Sequence, residues 1–488
     1  MKPMSLLFTK PAKWTAGSLC LFSLAGCMVG PDYHQPQLAV PADYKSAPGW
    51  VKAAPADGAV KGAWWQAFGD AELDRLEPLV AVNNASLQAD YASYEQSLEI
   101  VQEVRGGLFP SVGLTGSATR AHQGTGGAGS GQSTSGTFEG NAAWTPDIWG
   151  KIRRQVQGDV AAAQVSAADL ANATLSAQAA LAADYVNLRT SDAAIALYRA
   201  TVAADTRSLR ITENQAAAGV AAPADVITAR TQLEGAQAQL INAGAARAQY
   251  EHAIAVLAGQ APEDMSLPPG TLIAVVPVAP PGVPSTLLQR RPDIAAAERA
   301  MAEANAQIGI AEGTYYPDIS LSALGGFAAS PIGGLFSASN TLWSLGANLS
   351  ASLFAGGTRS ATVQAARYGY DASVQTYRQT VLSAFQNVEN DLSNLQILGE
   401  QAQVEAQAVA DASRAVQITL NEYEAGTVPY TTVVSAQVPL LGDQQAQLAV
   451  QQNRLLASVA LFQDLGGGFQ ASDLPSTEAI QAKLPFAP

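Results

Sequence analysis

Histidine and serine are the side chains whose spacing would most readily reveal an active site, and here they form no recognisable one. The 488-residue chain has three histidines, His34, His122 and His252, with no cysteine or carboxylate around them at the spacing of metal ligands. No G-x-S-x-G elbow or Walker sequence occurs, and no histidine is placed to act as the base for a serine nucleophile. We therefore expect no metal site and no enzymatic activity.

A glycine-rich run from Gly124 to Gly129 matches the dinucleotide-binding fingerprint in form only. That fingerprint requires a strand before it and a helix after it. This run lies between two segments that both alternate like strands. We interpret it as an exposed hairpin loop and expect no nucleotide cofactor.

Cys27 is the residue with the clearest chemical assignment. It ends the tetrapeptide Leu24-Ala-Gly-Cys27, which resembles a bacterial lipobox and follows a lysine-containing start and an apolar stretch. The pattern predicts a signal peptide over residues 1–26 and acyl chains on the thiol and the new amine of Cys27, enough lipid for stable anchoring. Met28, where an aspartate would indicate retention, favours release to the outer membrane. The alternative is an ordinary signal peptide with an accidental cysteine.

The mature chain is acidic and has no pair of thiols. Its formal charge of -14 becomes three units more negative when Lys2, Lys10 and Lys13 leave with the signal. Such a chain is a poor candidate for binding nucleic acid. Cys20 also leaves, so no disulfide is expected. After residue 26 no apolar run reaches the roughly 18 residues of a transmembrane helix, so a membrane crossing would use β-strands.

One pattern of residues is written twice in the chain, 207 residues apart. Phe109-Pro110 recurs as Tyr316-Pro317, Gly219 as Gly426 and Gly259 as Gly466. An apolar series with a period of seven recurs at the same offset, which indicates a duplicated half-barrel. The first copy of the series is Leu181, Leu188, Ile195, Val202 and Leu209, and the second is Val388, Leu395, Ala402, Val409 and Val416.

Two very long helices are predicted from these series, over about residues 151 to 214 and 359 to 425. Each would be roughly 95 Å long at 1.5 Å per residue. The strict period of seven predicts left-handed supercoiling against neighbouring helices. The return helix of the second copy has the same period, at Val434, Leu441, Leu448, Leu455 and Phe462.

Two strand hairpins are predicted over residues 110–147 and 317–354, where the period changes to two. Strands of about ten residues with one apolar and one polar face are typical of an outer-membrane barrel, and the alternative is a soluble four-stranded sheet. Four strands cannot close a barrel in lipid, so several copies must assemble. Two copies would give eight strands and three would give twelve. Aromatic residues near the strand ends fit a membrane girdle: Trp144, Trp149, Tyr315, Tyr316 and Trp343.

The organisation that follows has six parts. They are a signal peptide (1–26), a lipidated tether and equatorial segment (27–82), a first repeat (83–261, with its helix hairpin at 150–258), a proline-rich linker (262–290), a second repeat (291–465, with its helix hairpin at 358–465) and a tail (466–488).

The turns between the long helices are the predicted functional positions. Each places a glycine and then a proline between two helices, Gly219 and Pro223 in the first repeat and Gly426 and Pro429 in the second. A simple hairpin turn accounts for these four residues.

Several motifs make the chain similar to the TolC/OprM-type outer-membrane channels of tripartite efflux systems, in their NodT-like lipoprotein branch. The resemblance implies a trimer with a twelve-stranded outer-membrane β-barrel continued by a twelve-helix periplasmic tunnel. It also implies a periplasmic adaptor and an inner-membrane transporter of the resistance-nodulation-division (RND) class as partners, and no enzyme activity. The motifs are Cys27-Met-Val-Gly-Pro-Asp-Tyr33, Trp64-Trp65-Gln-Ala-Phe68, Leu287-Leu-Gln-Arg290-Arg291-Pro292-Asp293-Ile294, Ala304-Asn305-Ala-Gln-Ile308-Gly309, Tyr316-Pro317 and Leu353-Phe354-Ala-Gly356-Gly357.

The resemblance also implies a gate at the periplasmic end of the tunnel. Matching the turn motifs places Asp225 and Tyr423 on one link of that gate, and the tip turns at the adaptor contact. Val428 stands where some members of the family have an arginine, and Thr432 and Ser435 stand where the entrance carries aspartates. An arginine latch and an acidic ring are therefore not expected here.

The leading hypothesis for function is a passive exit channel for drugs or other small toxic compounds. A second hypothesis keeps the architecture but makes the chain the exit channel of an ATP-driven protein secretion system. A third is a structural coiled-coil lipoprotein that tethers the outer membrane, although such a tether has no use for amphipathic strand hairpins.

Overall fold

The computed structural model describes residues 28–36, 45, 63–122, 132–277 and 289–482. The predicted signal peptide, Cys27 and the glycine run at 124–129 lie outside the described residues.

Two antiparallel helix hairpins make up most of the described chain. In the first, α3 (Lys151–Ala217) is followed by α4 (Pro223–Leu257), and in the second, α6 (Thr358–Glu424) is followed by α7 (Tyr430–Asp464). Both long helices have 67 residues, or roughly 100 Å. The shorter helices are α1 (Ala71–Asn83), α2 (Ala85–Gly106), α5 (Pro292–Gly313) and α8 (Thr477–Gln481).

The boundaries of the helices repeat as the sequence predicts. The first and last residues of α2, α3 and α4 recur 207 positions later as those of α5, α6 and α7. Along the predicted heptad series of both long helices every residue is buried or half-buried within the single chain. The predicted duplication of the half-barrel is confirmed, while the left-handed supercoiling stays a prediction.

Four antiparallel strands form one sheet in the order β1 (Ser111–His122), β2 (Gln132–Trp144), β3 (Asp318–Ala329) and β4 (Thr341–Ser350). The hairpins share one register, because Gly116 pairs with Phe138 and Ala323 with Leu345, 207 residues further on. Strands β2 and β3 pair across the two repeats. Strands β1 and β4 are left as edges of the single chain.

Large apolar side chains of the sheet lie at the surface of the single chain. Val112, Leu114, Trp343, Leu345 and Leu349 are each at least two-thirds exposed in the single chain. An apolar surface of this kind is uncommon on a soluble monomer and is expected where strands contact lipid. Within the described residues, no helix is both long enough and apolar enough to cross a membrane.

The largest core lies midway along the helices, where the two repeats and the segment before α1 meet. Trp64 is fully buried there, and its ring stacks on Phe462 of α7 with centroids 5.7 Å apart. Leu181 and Leu188 of α3 belong to the same cluster. The Trp64-to-Phe68 motif is thus a packing element that joins the N-terminal segment to both repeats.

Residues 262–277, here called the strap, run between the repeats and are pinned to both of them. Side chains of α3 and α4 donate to carbonyls at its start, and side chains of α7 donate to carbonyls at its end. The described part of the proline-rich linker is therefore tied to both repeats in the middle of the molecule. These bonds run from Arg189 to Pro268 (2.8 Å), Arg247 to Leu267 (2.6 Å), Gln451 to Ile273 (2.9 Å) and Ser458 to Pro277 (2.6 Å).

Candidate functional site at the helix turns

The two helix turns use the glycine and proline as the sequence indicates. Gly219 and Gly426 have φ values of 75° and 73°, the left-handed conformation that ends a helix. Pro223 is the first residue of α4, where its missing N–H costs no helical bond, and Pro429 lies just before α7. Both turns are therefore tight and locally determined.

Asp225 is bonded within its own turn. Its carboxylate accepts from the backbone N–H of Ala222 at 3.4 Å, the reciprocal half of a capping arrangement at the start of α4. Its position in the first turn also suits the helix dipole. Asp225 thus stabilises the start of α4 in the single chain.

Tyr423, at the end of α6, is 4% exposed. Its hydroxyl is 3.1 Å from the hydroxyl of Thr212 on α3, and its ring lies 5.4 Å from that of Tyr430. The helix hairpins are therefore linked near their tips by Tyr423. Among the described residues of one chain there is no hydrogen bond between Asp225 and Tyr423, so their predicted common link stays a prediction.

A polar stripe on α3 faces the second hairpin near the tips. Asp205, Ser208 and Thr212 are the buried positions of this part of the helix, while the heptad residues Val202 and Leu209 are only half-buried. Asp205 is 2% exposed, and burial raises the pKa of its carboxyl to about 6. The contact between the hairpins near their turns therefore combines this polar stripe with an apolar cluster that includes Ala229, Tyr430 and Val433.

Tyr430 is the residue of the second hairpin that meets this stripe. It is 1% exposed, and its hydroxyl faces Ser208 and the Asp205 carboxylate without completing a hydrogen bond in the described part of the chain. Burial, with a contribution from the charge of Asp205, raises the pKa of Tyr430 to about 12. No role was predicted from the sequence for Asp205, Ser208, Thr212 or Tyr430. Their three-four spacing on α3 was the available signal.

The N-terminal segment is held at the junction of the sheet and the helices. The backbone N–H of Val29 donates to the carbonyl of Trp149 at 3.1 Å, and the Arg154 guanidinium donates to the carbonyls of Val29 (2.9 Å) and Gly30 (2.8 Å). Met28 packs against Gly150, where a Cβ would collide with it. The residue that follows Cys27 is therefore fixed beside the ends of the strands.

The Arg290-Arg291-Pro292-Asp293 motif fastens the start of α5 to the end of α7. Arg291 donates to the Asp464 carbonyl at 2.8 Å and pairs with the carboxylates of Asp464 and Asp293, each at 2.7 Å. Burial, followed by the charge of Asp464, raises the pKa of nearby Asp391 to about 8. The motif is a structural joint between helices.

No group of three or more metal-ligating side chains occurs among the residues that the structure describes. The polar groups that converge at the tips are hydroxyls and one carboxylate from neighbouring helices. Such groups can link the two hairpins through hydrogen bonds that water replaces when the hairpins separate.

A family model described as outer membrane efflux protein matches residues 78–260 and 283–467, so its two halves fall on the two repeats. The probable efflux pump outer membrane protein TtgC of Pseudomonas putida is 29% identical over 471 residues, covering 95% of this chain and 97% of the relative. The solvent efflux pump outer membrane protein SrpC of Pseudomonas putida is 30% identical over 464 residues, covering 93% and 97%.

The fold is likewise similar to that of solved channels. The outer-membrane channel OprN superposes with a TM-score of 0.83 at 29% identity, covering 91% of this chain and 99% of that one. The two matched repeats and the full-length similarity agree with the duplicated helices and the edge strands described above. This chain belongs to the outer membrane efflux protein family.

Proposed function

We propose that this chain is the outer-membrane exit channel of a tripartite efflux pump. It would conduct drugs or other small toxic compounds passively from an inner-membrane RND-type transporter and a periplasmic adaptor to the outside. The observation that carries the proposal is the joining of an outward-facing apolar sheet to two 67-residue helices in one chain. The sheet suits the outer membrane, and helices of roughly 100 Å suit a periplasmic tunnel.

Relatives support the class of transported compound. The curated names of similar proteins refer to solvents, toluene and antibiotics, which are small and toxic. We therefore favour small organic compounds, with substrate choice made by the transporter.

The duplication supports a head-to-tail ring of copies. Within one chain, strand β2 of the first repeat pairs with strand β3 of the second. The same relation, shifted by one repeat, pairs β4 with β1 of the next copy and removes both edges. In the pairing of β2 with β3 the two residue numbers add up to a constant, as for Glu139 and Gly326. Adding the offset of 207 to the number on β2 and subtracting it from the number on β3 keeps that sum. Ser350 would therefore lie opposite Thr115 of the partner subunit. We propose three copies, which gives twelve strands and twelve helices.

Cysteine cross-linking tests this ring. The variant Ser350→Cys with Thr115→Cys places two thiols opposite each other across the proposed seam, at the Cα separation that a disulfide requires. We expect oxidation to give covalent dimers and trimers and no larger species. The control Ser350→Cys with Thr119→Cys moves one thiol four residues along the same face, and should cross-link poorly.

A ladder that ends at the dimer would replace twelve strands by eight, and equal cross-linking of the control would reject the register. Transport is tested separately, by expressing the chain with a partner transporter and adaptor in a strain without its own channel. Restored resistance to toxic compounds is expected, and unchanged sensitivity would count against an efflux role.

Lipid on Cys27 is proposed as the membrane anchor. Met28 is held at the junction between the sheet and the helices, so an acyl chain on the preceding residue would start at the membrane surface. Mass spectrometry of the N-terminal peptide tests this directly, since an unmodified cysteine would exclude lipidation.

We further propose that the turns meet the adaptor and that Tyr423 and Asp225 contribute to the closed tip. Tyr423 would act through Thr212 of the other hairpin, and Asp225 through the start of α4. Residues Gly219, Pro223, Gly426 and Pro429 would shape the surface that the adaptor contacts.

A further inference from the structure

Helix α7 is interrupted in its hydrogen bonding a short distance after the turn that precedes it. Pro439 lies inside this helix and provides no N–H to the carbonyl of Ser435, and three residues later Gly442 has open space around it. Residues 430–438, here called the tip segment, therefore lie between a turn and a position where the helix bends at low cost. The tip segment can move while the rest of α7 stays in the core.

The upper part of the same helix is fixed. Phe462 stacks on Trp64, and Gln451 and Ser458 hold the strap. Motion is therefore confined to the part of the hairpin on the tip side of the strap, and it ends at Pro439 and Gly442.

The contact of the tip segment with α3 contains a buried acid that no other group compensates. One carboxylate oxygen of Asp205 is buried without a hydrogen-bond partner among the described residues, and so is the hydroxyl of Tyr430. A side-chain oxygen of Gln437, two helical turns along the tip segment, is in the same condition. An ionised carboxylate in such a place costs several kcal/mol unless it is paired or hydrated.

Among the described residues of one chain, no positively charged side chain faces Asp205. Tyr430 of α7 and Tyr423 of α6 face the stripe with their rings and hydroxyl groups. On α4, Arg230 is exposed and pairs at 3.6 Å with Glu213 of α3, and the remaining charged side chains of this level are also at the surface. These are Arg207 and Arg210 of α3, Glu234 of α4 and Arg414, Glu422 and Glu424 of α6, with Asp225 half-buried in its own turn.

We propose that Asp205 is a proton-binding site that keeps the tip segment of α7 packed on α3 when it is protonated and releases the segment when it is ionised. Release lets water reach the carboxylate, and it also separates apolar contacts of Tyr430 and Val433 with Leu209 of α3. The effect on conductance rests on the proposed function, whereas the effect on packing does not.

The direction of the pH dependence follows from burial. The carboxyl binds its proton more tightly in the packed tip, with a pKa of about 6, than in water, where the ordinary value is 3.8. The packed state is therefore favoured at low pH, and its stability relative to the opened state falls as the pH rises from about 4 to 6. Between pH 5 and pH 7.5 the ratio of opened to packed tips should rise about tenfold.

Hydrogen exchange of the intact trimer in detergent tests the packing. Protection of peptide 430–438 is measured at each pH and divided by the exchange of the same peptide from unfolded chain, which removes the intrinsic effect of pH. We expect protection to fall about tenfold between pH 5 and pH 7.5. In Asp205→Asn it should stay at the acid level throughout. The control Glu213→Gln removes an exposed acid of the same helix and should keep the full change.

A tenfold change that survives in Asp205→Asn, or protection that rises with pH, would overturn the proton site. If Asp205→Asn does not assemble, Asp205→Ser provides the same comparison with a smaller polar side chain. The variant Pro439→Ala restores the helix N–H and should raise protection at both pH values without removing the pH dependence. Unchanged protection in Pro439→Ala would mean that the hinge does not lie at this residue.

Conductance of the trimer in planar bilayers separates the two proposals. We expect the open fraction to rise with pH in the natural chain and to be low and constant in Asp205→Asn. A pH-dependent protection without any conductance would reject the channel and keep the proton site. Conductance with the same pH profile in both proteins would reject the proton site and keep the channel.

Discussion

Gly466 lies directly against the backbone carbonyl of Arg290, so closely that no side chain fits between them. Gly259 meets the carbonyl of Asn83 in the same way, 207 residues earlier. Both glycines end a return helix in the left-handed conformation, with φ values of 95° and 70°. Each repeat is thus closed by the same contact, between the glycine after its return helix and the residue two positions before its first helix, α2 or α5.

The first prediction concerns this joint. Gly466→Ala forces a Cβ into the Arg290 carbonyl and imposes a left-handed φ on alanine, so we expect a loss of about 2 to 4 kcal/mol in stability. Gly426→Ala is the matched control, since its φ of 73° is similar but its surroundings are open. It should cost about 1 to 2 kcal/mol. Thermal unfolding of the two trimers measures the difference, and equal losses would mean that the close contact adds nothing.

The second prediction concerns the link between the hairpins. Tyr423→Phe removes the hydroxyl that meets Thr212 and should loosen the tip by about 1 kcal/mol. Asp225→Ala removes the cap of α4 and should cost about 1 kcal/mol at the start of that helix. Because the two side chains act on different partners in one chain, their effects should add in the double variant.

Single-channel conductance and sensitivity to large antibiotics measure both effects. The double variant should leak more than either single variant. An effect of the double variant clearly different from the sum would show direct coupling between Asp225 and Tyr423. No effect at all would remove both residues from the gate.

The sequence revealed the long helices and the hairpins because each depends on a local period. Seven-residue spacing fixes which face of α3 is covered, and alternation fixes which face of β4 points outward. The register between β2 and β3 and the pinning of the strap were not predictable, since they depend on which segments meet in three dimensions.

Burial on α3 near the helix turns was likewise not predictable from the sequence. The heptad pattern favoured Val202 and Leu209 as the buried residues of lower α3, yet Asp205, Ser208 and Thr212 are buried more deeply. A period of seven identifies a contact stripe but does not say which neighbouring helix covers each side of it. Buried polar residues beside that stripe are invisible until the second hairpin is placed.

The third prediction concerns Glu77, an acid in the central core. It is fully buried, both of its carboxylate oxygens lack a partner among the described residues, and burial raises its pKa to about 9. The folded chain therefore binds this proton more tightly than the unfolded chain does. Stability should fall as the pH rises from about 4.5 towards 9. Glu77→Gln removes this penalty and should raise the thermal midpoint by several degrees at pH 8, with little change at pH 4.

Its control is Glu103→Gln, which changes an exposed acid on α2. The difference between variant and natural chain should depend on pH only for Glu77→Gln. A constant difference across this range would mean that Glu77 is ionised in the folded protein and has found water or another partner.

The fourth prediction concerns the N-terminal anchor. If Cys27 carries lipid, Cys27→Ala should fold and assemble but reach the outer membrane in smaller amounts, because the bonds of Val29 and Gly30 to the helix junction do not require the acyl chains. Fractionation after a carbonate wash measures attachment, and metabolic labelling with palmitate measures acylation. Since the barrel itself holds assembled protein in the membrane, the informative quantity is the fraction of newly made protein that reaches the outer membrane.

The substitution Arg154→Ala provides the contrast, because it frees the N-terminal segment from α3 while leaving the acylated cysteine intact. It should preserve palmitate incorporation and lower the thermal stability, whereas Cys27→Ala should abolish incorporation and leave stability unchanged. Full targeting of Cys27→Ala with no labelled lipid in the natural chain would show that the strands alone direct this protein to its membrane.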